Sequence, residues 1–342
     1  MVLFLSLGGG PLMSSPVVAN ADSEWGRDID LQAHRGGLGL STESTLDGFI
    51  AAMKLGVTTL ELDTQVTRDR KVVITHDRKI DSKKCADTAP LFPLDPQYPY
   101  VGKYIHDLTY AQIATMNCGY EQLPGHSEQR VVRGARMMQL AELFSVVRKR
   151  NSPVRMNIET KVEAGAPAET APRAEFVRTV ADEIRRSGLS KQITIQSFDW
   201  SALRAIGPLL PGVGLVALTN GEDFLQTGKP GASPWLGLDV DNYGGDWVTA
   251  AKQTIPGLVA ISPVQGDPQD GGVGDADFVR FTTPELVRHA HDKGLKVIPW
   301  TVNDPATMRA LLNDGIDGLI TDYPDRARAV FAELGIALPA PS

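Results

Sequence analysis

The chain has 342 residues, 42% hydrophobic and 22% charged, with 34 Lys+Arg against 41 Asp+Glu for a formal net charge of −7. This is the composition of an ordinary globular protein, which excludes collagen-like and disordered classes. The acidic balance also argues against a nucleic-acid partner, because binding a phosphate backbone needs positive charge concentrated on one face.

Met1 to Ala21 carries no charged side chain. An apolar stretch from Val2 to Leu7 leads through glycines to Val17-Val18-Ala19-Asn20-Ala21, whose last three residues fit a small-x-small cleavage site. The segment reads as a signal peptide or leader, implying a periplasmic or secreted protein, although the basic n-region is missing; without a signal function the location would be cytoplasmic. No apolar run approaches the ~20 residues of a membrane span, so no transmembrane segment is expected.

Short apolar runs then alternate with helical patterns. Predicted strands run from Ile29 to Ala33, Thr58 to Leu62, Val154 to Ile158, Ile193 to Ser197, Gly214 to Leu218, Leu258 to Ile261, Leu295 to Trp300 and Gly318 to Ile320. Between them, Leu46 to Leu55, Glu175 to Arg186, Pro284 to Lys293 and Pro305 to Asn313 carry helical spacing, with Gly188, Gly294 and Gly315 as stops. Strand, helix, glycine, strand is the form of an α/β protein with a parallel sheet, and eight strands are what a TIM (β/α)8 barrel needs. The barrel is placed at residues 28–334. A hairpin strand, Lys71 to Ile74, follows the second barrel strand. The stretch 77–136 then breaks the rhythm, with five prolines, both cysteines and one helix-like piece around Leu108 to Met116. It is far longer than a βα loop of about 2 to 6 residues and reads as an insertion on the barrel rim, shaping the cleft. Cys85 and Cys118 have no histidine spacing suited to zinc; they would pair in an oxidising compartment and stay free in the cytosol.

The chemistry-bearing residues cluster at strand ends: His34-Arg35-Gly36-Gly37, Glu61-Leu62-Asp63, Thr75-His76-Asp77 and Ile158-Glu159-Thr160-Lys161. In a strand, side chains at i and i+2 share a face, so Glu61 converges with Asp63 and Glu159 with Lys161. Three carboxylates aimed at one mouth would repel one another unless a positive group sat among them. A hard divalent cation, Ca²⁺ in the first place or Mg²⁺, suits oxygen ligands, whereas Zn²⁺ would favour His and Cys. His34 and His76 are the candidate proton carriers, because histidine titrates near neutrality. Arg35 and Lys161 offer a planar fork and a point charge to a phosphodiester.

Together with Glu43-Ser44-Thr45-Leu46, Thr64 to Asp69, Trp300-Thr301-Val302-Asn303 and Gly315 to Pro324, these motifs resemble the glycerophosphodiester phosphodiesterase family, in the family's order over residues 31 to 324. The resemblance implies a TIM barrel that hydrolyses small-molecule glycerophosphodiesters to sn-glycerol 3-phosphate and an alcohol. Carried over by position, His34 and His76 become the acid/base pair, and Arg35 and Lys161 the phosphate and substrate contacts. Glu61, Asp63 and Glu159 become metal ligands, and Trp300 part of the cleft wall. The first loop departs from the family's usual Pro-Glu-Asn-Thr, reading Thr42-Glu43-Ser44-Thr45. Attack by the neighbouring glycerol hydroxyl and attack by water both remain open. Two other readings compete. One is phospholipase D-like hydrolysis of lysophospholipid or sphingolipid head groups, suggested by the apolar content around Leu91 to Tyr104. The other is a noncatalytic phosphate-binding barrel, which would be expected to have lost one of the histidines. The sequence carries no signal for oligomeric state.

Overall fold

The computed structural model describes residues 29–341, so the leader at Met1–Ala21 lies outside the described residues. Eight parallel strands form a nearly closed barrel: β1 (Asp30–Ala33), β2 (Thr59–Val66), β3 (Arg155–Thr160), β4 (Ile193–Ser197), β5 (Gly214–Thr219), β6 (Leu258–Pro263), β7 (Lys296–Val297) and β8 (Gly318–Thr321). The helix that follows each strand packs outside it. These helices are α1 (Leu46–Leu55), α2 (Leu140–Lys149), α3 (Arg173–Ser187), α4 (Trp200–Ile206), α5 (Trp247–Thr254), α6 (Pro284–Asp292), α7 (Pro305–Asn313) and α8 (Pro324–Glu333).

Strand order is β7-β6-β5-β4-β3-β2-β1-β8, so the first and last strands of the chain are neighbours, with Asp30 opposite Gly318 and Ala33 opposite Thr321. The remaining seam lies between β7 and β8. It is bridged by hydrogen bonds from Asp317 N–H to Val297 O, Ile320 N–H to Pro299 O and Val302 N–H to Ile320 O, each 2.9 Å. The seventh strand is shorter than the Leu295–Trp300 run predicts, and Pro299 supplies a reason because it has no N–H to give a ladder. The second strand is longer than predicted. It reaches Val66 because the hairpin strand Val72–Ile74 pairs antiparallel with Thr64–Val66.

Alternation along each strand divides two layers. Leu31, Leu60, Leu62, Met156, Ile158 and Ile195 are fully buried in the apolar layer shared with Phe49, Phe176, Trp200 and Phe331 of the helices. Between those positions, Gln32, Asn157 and Gln196 share the opposite face in a buried amide chain, Asn157 Nδ2 donating to Gln32 Oε1 at 2.9 Å and to Gln196 Oε1 at 2.7 Å. Helix starts obey capping chemistry: Thr45 Oγ1 accepts from Gly48 N–H ahead of α1, and Asp304 caps α7 just before Pro305.

Residues 77–136 carry little regular structure. The helix-like piece predicted at Leu108 to Met116 is a single turn, Tyr110–Ile113, closed by a capping box between Thr109 and Gln112. Its apolar residues, with Ile80, Tyr100, Ile105, Leu108 and Met116, make a small core separate from that of the barrel. Cys85 and Cys118 are joined in a disulfide.

Candidate active site

The site lies at the carboxyl ends of the strands, where TIM-barrel chemistry is built. After Ala33 the chain turns through a short 3-10 segment, His34–Gly36, with Arg35 at φ 51° and Gly36 at φ 83°. A Cβ on Gly36 would lie 3.1 Å from both the backbone nitrogen and a ring carbon of Phe49, so the close approach of this loop to α1 requires glycine. The turn points the Arg35 backbone N–H at Glu61 Oε2, 3.0 Å away, and brings the His34 and Arg35 side chains over the acidic group.

Glu61 and Asp63 stand on the inward face of β2, and Glu159 lies directly opposite Asp63 on β3. One oxygen from each lies within 4.8 Å of the others, and all three residues are buried. Their charges are unequally compensated. Burial raises Glu61 well above the ordinary carboxylate range, with the charges of Asp63 and Glu159 acting in the same direction. Glu159 is pushed up to about 7, by burial and Asp63 against the pull of Lys161. Burial would also raise Asp63, but Arg35, His76 and Lys161 hold it down at about 2. Asp63 Oδ2 is buried without a hydrogen-bond partner, although Arg35 Nε lies 3.1 Å away as a charge contact. A buried set of three carboxylates, two of them pushed toward protonation and one oxygen orphaned, fits a hard divalent cation.

Cationic and proton-carrying groups surround this triad. Lys161 Nζ lies 3.0 Å from Glu159 Oε1 and 3.8 Å from Asp63 Oδ1, with its ammonium 5.5 Å from the centre of the Phe198 ring. Arg35 also donates to Glu43 Oε2 at 2.9 Å. His34 Nδ1 meets Asp322 Oδ1 at 2.5 Å, and its Nε2 is 4.0 Å from Glu61 Oε2. His76 Nδ1 meets Asp77 Oδ1 at 2.8 Å. Burial, reinforced by Lys161 and Arg35, holds His76 well below its usual range, so it is neutral at neutral pH. In both histidines a carboxylate occupies Nδ1 and leaves Nε2 for other work.

A cleft of roughly 1000 Å³ opens above these groups. Residues 77–82, Val101, Gly102 and Tyr104 line it, as do Phe198, Phe224, Trp235 and Trp300. Trp300 donates its ring N–H to Ser262 O at 3.1 Å and meets the Phe198 ring edge-on at 5.3 Å.

All eight residues singled out from sequence therefore lie along one cleft. Sequence reasoning gave no role to two of their partners, Asp322 and Gln196. Asp322, which accepts from Asn303 Nδ2 at 2.7 Å as well as holding His34, follows β8, whose adjacency to β1 is a property of barrel closure. Gln196, which donates to Glu61 Oε1 at 2.8 Å, faces inward from β4. The one signal that could have found both is the ring geometry itself, which makes every strand end a neighbour of the site.

The family model of the glycerophosphoryl diester phosphodiesterase family matches residues 34–326. Among curated relatives, a Caldanaerobacter subterraneus glycerophosphodiester phosphodiesterase is 24% identical, covering 86% of this chain and 93% of that one. Human lysophospholipase D GDPD3 is 25% identical, covering 88% and 84%. A solved Silicibacter pomeroyi structure, 26% identical, superposes with a TM-score of 0.72 over 92% of this chain and 96% of that one. An Oleispira antarctica phosphodiesterase in complex with sn-glycerol-3-phosphate superposes at 0.62, with 17% identity and 89% and 96% coverage. A match across nearly the whole barrel, carried by the strand-end motifs just described, makes this chain a member of the glycerophosphoryl diester phosphodiesterase family, a phosphoric diester hydrolase.

Proposed function

We propose that the protein hydrolyses small glycerophosphodiesters to sn-glycerol 3-phosphate and an alcohol, using a divalent cation. The observation that carries this reading is the buried Glu61–Asp63–Glu159 triad set between two carboxylate-held histidines and the Arg35 and Lys161 cations. Ca²⁺ or Mg²⁺ bound there would neutralise charge on the phosphodiester as the reaction proceeds. Arg35 and Lys161 then contact the non-bridging phosphate oxygens. His76, neutral and fixed through Nδ1 by Asp77, takes at Nε2 the proton of the attacking group, either water itself or the neighbouring glycerol hydroxyl, whose cyclic phosphate water then opens. His34, held by Asp322, returns a proton to the departing alkoxide. Trp300 forms part of the cleft wall, and residues 77–136 act as a rim insertion that shapes the alcohol end of the cleft. The chain as placed here is one barrel domain, about 28–334.

The test is hydrolysis of glycerophosphocholine, followed as release of sn-glycerol 3-phosphate. EDTA should abolish it and added Ca²⁺ or Mg²⁺ restore it. No hydrolysis under either metal overturns the proposal.

A second reading, lysophospholipase D activity, is favoured by Leu91, Phe92 and Leu94, which are 43%, 49% and 96% exposed within residues 77–136. Turnover of lysophosphatidylcholine in preference to glycerophosphocholine would select it. The Cys85–Cys118 disulfide supports an oxidising compartment, periplasmic or extracellular. Among the described residues, no helix is long and apolar enough to cross a membrane.

A further inference from the structure

Lys84 has no part in the chemistry above, yet it sits at the junction of two of its arms. Its ammonium is 2.8 Å from Glu43 Oε1 and 2.7 Å from Asp77 Oδ2. The second oxygen of each carboxylate faces the site: Glu43 Oε2 accepts from Arg35 at 2.9 Å, and Asp77 Oδ1 meets His76 Nδ1 at 2.8 Å. One cation thus closes a chain running His76, Asp77, Lys84, Glu43, Arg35.

An exposed lysine ion pair contributes little and can be lost without consequence. Lys84 differs in that its side chain is only 21% exposed, and Glu43 and Asp77 keep it charged against the cost of burial. Its backbone is fixed as well. Lys84 N–H and Cys85 N–H donate to Asp81 O at 3.1 and 2.9 Å, and Ala86 and Asn117 exchange hydrogen bonds of 2.8 and 3.0 Å. Cys85 itself is bonded to Cys118. The ammonium is therefore placed by the cross-linked stretch 81–118, while the groups it steadies belong to the loops directly after β1 and the hairpin strand.

We propose that Lys84 is a positioning residue of this site: held by the Cys85–Cys118 cross-link, it fixes Asp77 and Glu43, and through them the His76 ring and the Arg35 guanidinium. The inference rests on the phosphodiester reading for its effect on rate. Without the ammonium, Asp77 and Glu43 lose their shared counter-charge, and each can swing away from the group it orients.

The experiment compares Lys84→Met, Lys84→Arg and the Cys85→Ser/Cys118→Ser pair with the wild type. It reads kcat and KM for glycerophosphocholine with metal present, and the ring nitrogen resonances of His76 by ¹⁵N NMR. Loss of a group that orients a functional histidine costs roughly 10- to 100-fold. Lys84→Met is expected to lower kcat about 10-fold or more and to shift the His76 Nδ1 resonance, with Lys84→Arg returning most of both. The cysteine pair should give a smaller loss in the same direction, and combining it with Lys84→Met should add almost nothing. A folded Lys84→Met variant with turnover within about twofold of wild type and an unmoved His76 resonance overturns the proposal. Should Lys84→Met fail to fold, the cysteine pair decides: wild-type turnover with an unmoved resonance overturns it. Absence of turnover in the wild type would sink the phosphodiester reading instead, leaving the His76 resonance to judge Lys84 on its own.

Discussion

The two ends of the barrel treat acidic residues in opposite ways. At the amino ends of the strands, Asp30 Oδ1 accepts from Thr58 Oγ1 at 2.5 Å and Thr59 Oγ1 at 2.7 Å, and Arg155 Nη2 lies 3.0 Å away. Its other oxygen accepts from Gln32 Nε2 at 3.0 Å. One carboxylate is fully served, and the cluster ties β1, β2 and β3 together. At the carboxyl ends, Glu61, Asp63 and Glu159 crowd within 4.8 Å and leave Asp63 Oδ2 without a hydrogen bond. Served charge holds a fold together; underserved charge is held in readiness for a ligand.

That contrast can be broken experimentally. The largest effect is expected at the mouth: His34→Ala or His76→Ala should lower turnover of glycerophosphocholine about 10²-fold or more while leaving the thermal midpoint nearly unchanged. Normal rates in both variants would remove the acid/base assignment.

Glu43 gives the next effect, read as stability against pH. Arg35 and Lys84 overcome the burial cost and hold its carboxyl at about 2. In the unfolded chain a glutamate titrates near 4.3, so the folded state binds fewer protons across that window. The stabilisation is present above about pH 4.3 and is lost as pH falls through about 2, amounting to roughly 3 kcal/mol at neutral pH. Chemical denaturation of wild type and Glu43→Gln should therefore differ most at pH 7 and converge toward pH 2; a difference independent of pH would refute the assignment.

Asp322→Asn removes the charge that holds His34 Nδ1 and should cost about 10-fold in turnover at constant KM. A rise in KM with unchanged turnover would mean that Asp322 serves binding instead. The smallest effect belongs to the floor. Asp30→Ala should leave kcat at the wild-type value and lower unfolding free energy by about 1 kcal/mol, read from denaturant midpoints. An activity loss there as large as that at His34 would erase the distinction between the two ends.

The barrel was readable because each strand is a short apolar run and each following helix carries its own start and stop. Where reading failed, the cause was tertiary. Val66 joins β2 only because a hairpin partner lies beside it, and Ile298 to Trp300 fall outside β7 where Pro299 interrupts donation. Glu61, Asp63, Glu159 and Lys161 could be placed on one face from strand alternation alone. Asp322 and Lys84 could not, since their meaning lies in hydrogen bonds to residues remote in the chain. A lysine inside a polar, proline-rich stretch looks like any solvated surface lysine until the fold sets it between two carboxylates.

The pairing of His34 with Asp322 joins groups 288 residues apart, and this bears on how the enzyme comes into being. Both members lie just past the ends of the strands that meet when the ring closes, so a partly made chain holds the acidic triad of β2 and β3 before His34 has a partner. Contacts so distant in sequence raise the contact order and slow folding. The His34–Asp322 pair is thus complete only once the last strand is in place.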